Sequence, residues 1–302
     1  KRLDPTDNYA KFWTKDIYGN ISKTFEYVPI ITKYDKPIAR PVVHWTFDEA
    51  HYNNTSNEAL DRISGLKLKN EGYELDYVDF DTDPCDRTMV HNPALAPVTI
   101  DSNGVLNKSM LFGDDRFLRV KSPQNSKLKP SDTLSVAAWV YLTGDGVHSD
   151  DHIISNEFNG KGWSIKVDAA NKDDKGLRFT VHTADGLLEP YLETKNYTTG
   201  WHLVIGTYDG QKASLYFDGI FVKSFSNASP SPIVYETGVN TFVGAKASTG
   251  DEPTNGKSRY YARSGLNCNL YNIEDSNFAN KIDEVIIWDQ VLTGLEASSL
   301  YH

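Results

Sequence analysis

Two carboxyl groups working as an acid–base pair must face one cleft, and on a β-strand that requires acids at alternate positions. The sequence holds no Glu-x-Asp-x-Glu string. Ile282-Asp283-Glu284 sets its acids on adjacent residues, hence on opposite faces of a strand, where they cannot form such a pair. A lyase needs a base instead, and His182 and Tyr191 are residue types able to abstract a proton, although an isolated histidine is more often structural or solvated. Recognition without reaction asks for something else. Sugars present apolar C–H faces and many hydroxyls, which suit an aromatic platform beside hydrogen-bonding side chains. Tyr191, Tyr260, Tyr261 and Tyr271 sit in loop-like stretches, with Arg259, Arg263 and Asn269 close by in sequence. In Leu177-Arg178-Phe179-Thr180-Val181-His182, alternation gathers Arg178, Thr180 and His182 on one face, a polar floor for a groove. The candidate ligand-binding residues are therefore Arg178, His182, Tyr191, Arg259, Tyr260, Tyr261 and Tyr271.

Bulk properties narrow the classes. A formal net charge of -10, with no basic stripe, argues against a partner bound through its phosphates. No run of apolar residues reaches membrane-spanning length, and Lys1 does not open a leader peptide, so the chain is expected to be soluble and already trimmed. The two cysteines, Cys85 and Cys268, lie in polar stretches far apart in sequence. A disulfide between them and two free thiols are equally open, and the absence of any Cys/His cluster argues against zinc.

The elements that must position these residues read as strands. β-Branched and aromatic runs recur between Gly, Asn and Asp clusters: 42–47, 109–111, 117–120, 134–142, 152–155, 163–167, 177–182, 201–208, 212–217, 220–225, 240–243 and 281–288. Many short strands separated by turn signals predict an all-β fold, an antiparallel sandwich of jelly-roll type. Asp218-Gly219 predicts a tight hairpin, and 293–301 predicts the single helix. Trp139, Trp201 and Trp288 lie in apolar runs and are expected in the core, while Trp163 is left open. Ahead of the sandwich, 9–15 and 24–29 read as a short hairpin around Tyr18-Gly19-Asn20, and the prolines of 37–41 read as a linker.

Specific strings then carry a resemblance. Gly200-Trp201-His202-Leu203-Val204-Ile205-Gly206-Thr207-Tyr208-Asp209-Gly210 followed by Ala213-Ser214-Leu215-Tyr216-Phe217-Asp218-Gly219 resembles the centre of a LamG-like domain of the laminin G / concanavalin A-like lectin-glucanase superfamily. Val43-His44-Trp45-Thr46-Phe47-Asp48-Glu49 resembles its opening strand, Asp132 to Val140 its long core strand, and Ile282 to Thr293 its closing strand. The resemblance covers 42–302, a concanavalin A-like jelly roll. Residues 1–36 resemble the end of an immunoglobulin-like or fibronectin-III-like module, through Asp16-Ile17-Tyr18-Gly19-Asn20-Ile21-Ser22, and an N-terminal extension packed on the sandwich is the other reading of the same stretch.

The resemblance implies that the first and last strands of the sandwich are neighbours. It also implies a structural calcium ion (Ca2+) near them, with Asp48, Asp61 and Asp283 as ligands. The catalytic strings of the superfamily's hydrolases and lyases are absent, so a non-enzymatic module is expected. The implied function is binding of a polysaccharide or glycan by a secreted or cell-surface protein, as in surface glycan-binding proteins of Bacteroidota. That layout would be extracellular and could be anchored to an outer membrane by a segment elsewhere. The alternatives are a protein-binding adhesive domain and, last, a polysaccharide lyase or glycoside hydrolase. Two stretches, 70–96 and 248–279, exceed what the plain pattern needs, each holds one cysteine, and both are expected to be long loops that could carry a site.

Overall fold

Apolar residues at every second position give each strand one face that must leave water, and two sheets meeting on those faces solve the problem for all of them. A computed structural model describes residues 9–12, 25–29, 39–48, 51–53, 58–76, 88–91, 98–112, 116–120, 126–143, 151–167, 176–193, 198–246, 257–259 and 280–301. The chain divides into two compact units, Lys1–Arg40 and Pro41–His302. In the first, β1 (Tyr9–Phe12) and β2 (Phe25–Pro29) pair antiparallel, Tyr9 opposite Pro29.

The second unit opens with β3 (Val43–Trp45), β4 (Tyr52–Asn53), β5 (Glu58–Leu60), β6 (Lys67–Asp76), β7 (Thr88–His91), β8 (Thr99–Asp101), β9 (Ser109–Leu111) and β10 (Arg116–Val120). A short 3-10 turn at Ser126–Leu128 leads into β11 (Leu134–Leu142), β12 (Asp151–Ser155), β13 (Gly162–Val167), β14 (Leu177–Thr183), β15 (Gly186–Leu188) and β16 (Tyr191–Leu192). There follow β17 (Gly200–Tyr208), β18 (Lys212–Phe217), β19 (Ile220–Ser226), β20 (Thr241–Val243), β21 (Lys257–Arg259), β22 (Lys281–Trp288) and the helix α1 (Gly294–Tyr301). Thr293 caps that helix reciprocally with Glu296: the Thr293 amide donates to Oε2 at 2.7 Å while Thr293 Oγ1 accepts from the Glu296 amide.

Among the described residues, neighbouring strands pair antiparallel throughout. The larger sheet runs β15-β14-β13-β12-β20-β10-β6-β5-β4, and the smaller runs β19-β18-β17-β11-β22-β9-β8 with β3 beside β22. Trp45 faces Val285 and Val43 faces Ile287, so the first and last strands are neighbours, as expected. The core lies between the sheets, from Val136, Val140 and Val204 on one side to Ile165, Phe179 and Val181 on the other. At one point the layers approach so closely that a Cβ on Gly206 would lie 2.2 Å from the Phe179 ring. Asp218 and Gly219 both take positive φ, 49° and 74°, the conformation of a type I′ turn.

Two expectations need correction. Trp139 and Trp201 are half-buried on the outer face of the smaller sheet, and of the three tryptophans only Trp288 is buried. Alternation along β11 sends Val136, Ala138 and Val140 inward, which leaves Trp139 outside, stacked on Tyr301 of α1 at 5.7 Å. The helix shelters that face and explains why the strand is apolar on both sides. Second, 70–96 and 248–279 are not loop throughout. β6 continues to Asp76 and pairs with β7, and β21 pairs with β7 in turn, Lys257 opposite Val90. Polar composition hid these strands, whose backbone groups satisfy one another. Among the described residues, no helix is long and apolar enough to cross a membrane.

Candidate functional site

Along β14, Leu177, Phe179 and Val181 enter the core, so Arg178, Thr180 and His182 point out of the larger sheet. Register carries that face sideways: Lys166 lies opposite Arg178, Ser164 opposite Thr180, and Ser155 opposite Ser164. The link from β12 to β13 is a second tight turn, with Asn159 and Gly160 at φ 54° and 70°. It sets Glu157 back over the same face. Gly162 is required just beyond, because a Cβ there would lie 1.7 Å from the carbonyl oxygen of Asn156.

Two carboxylates organise this surface. Glu157 accepts a hydrogen bond from Ser164 Oγ, and its Oε1 lies 3.2 Å from His182 Nε2. His152, fully buried, brings its Nε2 to 3.7 Å from Glu157 Oε2. Burial alone would raise the Glu157 carboxyl, but the two imidazoles outweigh it and Lys166 adds attraction, which holds the group well below the ordinary carboxylate range. Glu189, between β15 and β16, has the same role beside β14, accepting from Arg178 Nη1 at 3.0 Å and from Thr180 Oγ1 at 3.4 Å. The result is a row of paired charges and hydroxyls across β12 to β14. Ser155, Ser164, Thr180 and Arg178 are buried within this row, and Glu157, Lys166, His182 and Glu189 are its partly exposed members.

Of the residues predicted from sequence, Arg178 and His182 are brought together on this face. Tyr191, opposite Arg178 in register, turns its ring against Phe225, with Lys223 Nζ 3.5 Å from the ring centroid. Arg259 ends β21, opposite Thr88. Tyr260, Tyr261, Tyr271, Cys85 and Cys268 lie outside the described residues. Trp163, left open by the sequence, is core, its indole donating to the Leu128 carbonyl at 3.2 Å. Glu157, Glu189 and His152 were not anticipated. The Asn159-Gly160 dipeptide was the signal available for Glu157, since such a turn folds the residues before it back onto the sheet.

The expected calcium ligands can be tested by their donors. Asp61 accepts from the amides of His44, Ile63 and Ser64 and from the Ser64 hydroxyl, so it closes a turn. Asp283, fully buried, accepts the amides of Val105 and Leu106 on Oδ2 and that of Glu284 on Oδ1. Burial, with the adjacent Glu284 charge, pushes its carboxyl up to about 7. Asp48 accepts from the Lys108 amide at 3.3 Å. Among the described residues, no three His, Cys, Asp or Glu side chains gather as a metal site. In this arrangement Asp61 and Asp283 spend lone pairs on backbone N–H donors that fix neighbouring turns. A bulge at Asp283 and Glu284, the latter at φ 47°, separates the two acids: one holds the 105–106 loop and the other meets His44.

Residues 114–259 match the family model described as Concanavalin A-like lectin/glucanases superfamily. No curated protein matches the chain. Among solved structures, the fold is similar to domain 4 of AbnA, an extracellular arabinanase from Geobacillus stearothermophilus, in complex with arabinotriose. Identity there is 14%, over 88% of this chain and 100% of the other, with a TM-score of 0.53. It is also similar to the binding domain of botulinum neurotoxin serotype G, at 14% identity over 87% of this chain and 50% of that one, TM-score 0.50. The receptor binding domain of the C/D mosaic neurotoxin gives 11% identity over 86% and 50%, also at a TM-score of 0.50. This chain therefore spans half of each toxin domain. Strand order, closing register and the matched stretch agree on the fold, an antiparallel two-sheet sandwich consistent with a concanavalin A-like jelly roll.

Proposed function

We propose that this chain is a non-catalytic glycan-binding module of a secreted or cell-surface protein, and that its ligand lies on the outer face of the larger sheet across β12 to β14. The observation that carries this reading is the row Arg178, Thr180 and His182, fixed by Glu189 and Glu157 into paired hydrogen-bonding groups. Groups already locked in place lose little freedom when a ligand arrives. The arabinotriose complex of a similar fold supports it as analogy. Affinity electrophoresis against a panel of plant and bacterial polysaccharides tests it. The expected result is retardation by at least one polysaccharide, weakened about tenfold or more by Arg178→Ala or His182→Ala, consistent with about one to three kcal/mol for a lost charged hydrogen bond. Retardation equal in wild type and both variants would move the site elsewhere.

A further inference from the structure

Resting on that reading, we infer that the site selects neutral, hydroxyl-rich glycans and turns away polyanionic ones, with Asn240 as an acceptor for a ligand hydroxyl. The cations on β12 to β14 each face a carboxylate. Arg178 is held by Glu189, His182 and His152 stand against Glu157, and Lys166 is drawn to Glu157 as well. A uronate or sulfate group would have to displace a carboxylate from its own partner to gain a cation, and would meet the remaining anion at close range. The net charge of -10 opposes its approach from a distance.

Acceptors, by contrast, are in supply. Each carboxylate keeps lone pairs beyond those its partners use. Asn240 adds another: it is 2% exposed, and its Oδ1 has no hydrogen-bond donor. It stands just before β20, whose Phe242 lies opposite Ser155. Continued by two residues, that register brings Asn240 opposite Glu157, on the same outer face. A buried carbonyl oxygen without a donor is costly, and the molecule recovers that cost when a hydroxyl, directly or through one water, donates to it. Sugar hydroxyls are donors. Sulfates and carboxylates are not.

The test is affinity electrophoresis of the full chain at low and high NaCl, about 50 and about 500 mM. The neutral probes are arabinan, xylan, mannan and β-glucan, and the anionic probes are polygalacturonate, alginate and heparin. At least one neutral polysaccharide should retard the chain, with affinity changed less than about twofold by salt and reduced about tenfold in Asn240→Ala or, with shape kept, Glu157→Gln. Binding to an anionic polysaccharide that fades as salt rises overturns the inference and leaves glycan binding standing. Neutral binding undiminished in both variants overturns the assignment of the acceptors. Retardation by none overturns the inference together with the reading it rests on.

Discussion

Glu157 is the residue on which the face turns, because it binds one serine and faces two histidines at once. Its native carboxyl is held below the value it has in the unfolded chain, so ionised Glu157 favours the folded state. That contribution is fully present above the unfolded carboxyl range and is lost as pH falls through the lowered native value. Glu157→Gln should therefore lower stability at neutral pH by about one to three kcal/mol, with a smaller difference from wild type at about pH 3. Urea unfolding at the two pH values measures it, and an unchanged difference between them would mean the carboxylate is not ionised by its neighbours. Sequence displayed only half of this cluster. Arg178, Thr180 and His182 were legible because they alternate with Leu177, Phe179 and Val181, whereas Glu157 and Glu189 lie just past strand ends, where no periodicity marks a face.

At the scale of elements, β14 is fixed from behind by Phe179, which fills the notch that Gly206 of β17 leaves open. The outward row on β14 owes its position to that inward contact. Gly206→Ala should overpack the notch and cost about one to three kcal/mol, and pairing it with Phe179→Leu should recover some of the loss. Thermal unfolding of the single and double variants tests the coupling; purely additive losses would place the strain elsewhere. The strands around this contact could be read from the sequence because each is apolar on one face. The polar pairs β6–β7 and β7–β21 could not, since their pairing is satisfied by backbone groups and leaves no hydrophobic signature. Trp139 misled for the opposite reason: an apolar strand face sheltered by α1 looks like core in sequence.

Across the whole molecule, the closing strand pair and the proposed ligand face lie on different sheets. The pairing of β3 with β22, with Asp283 holding the 105–106 loop, closes the sandwich on the smaller sheet. The paired charges of β12 to β14 lie on the larger one. The pairing of the two chain-distant strands was legible as what the family resemblance implies; the contact of Glu157 with His182 was not, since it forms only through the fold. The most direct measurement is an amide-detected NMR titration of the isotopically labelled chain with arabinotriose and with oligosaccharides cut from whichever polysaccharide retards it most. The expected result is shifts at Ser155 to Glu157, Ser164, Arg178 to His182 and Asn240, with β3 and β22 silent. Shifts confined to Trp139, Tyr141 and Trp201, on the outer face of the smaller sheet, would contradict it.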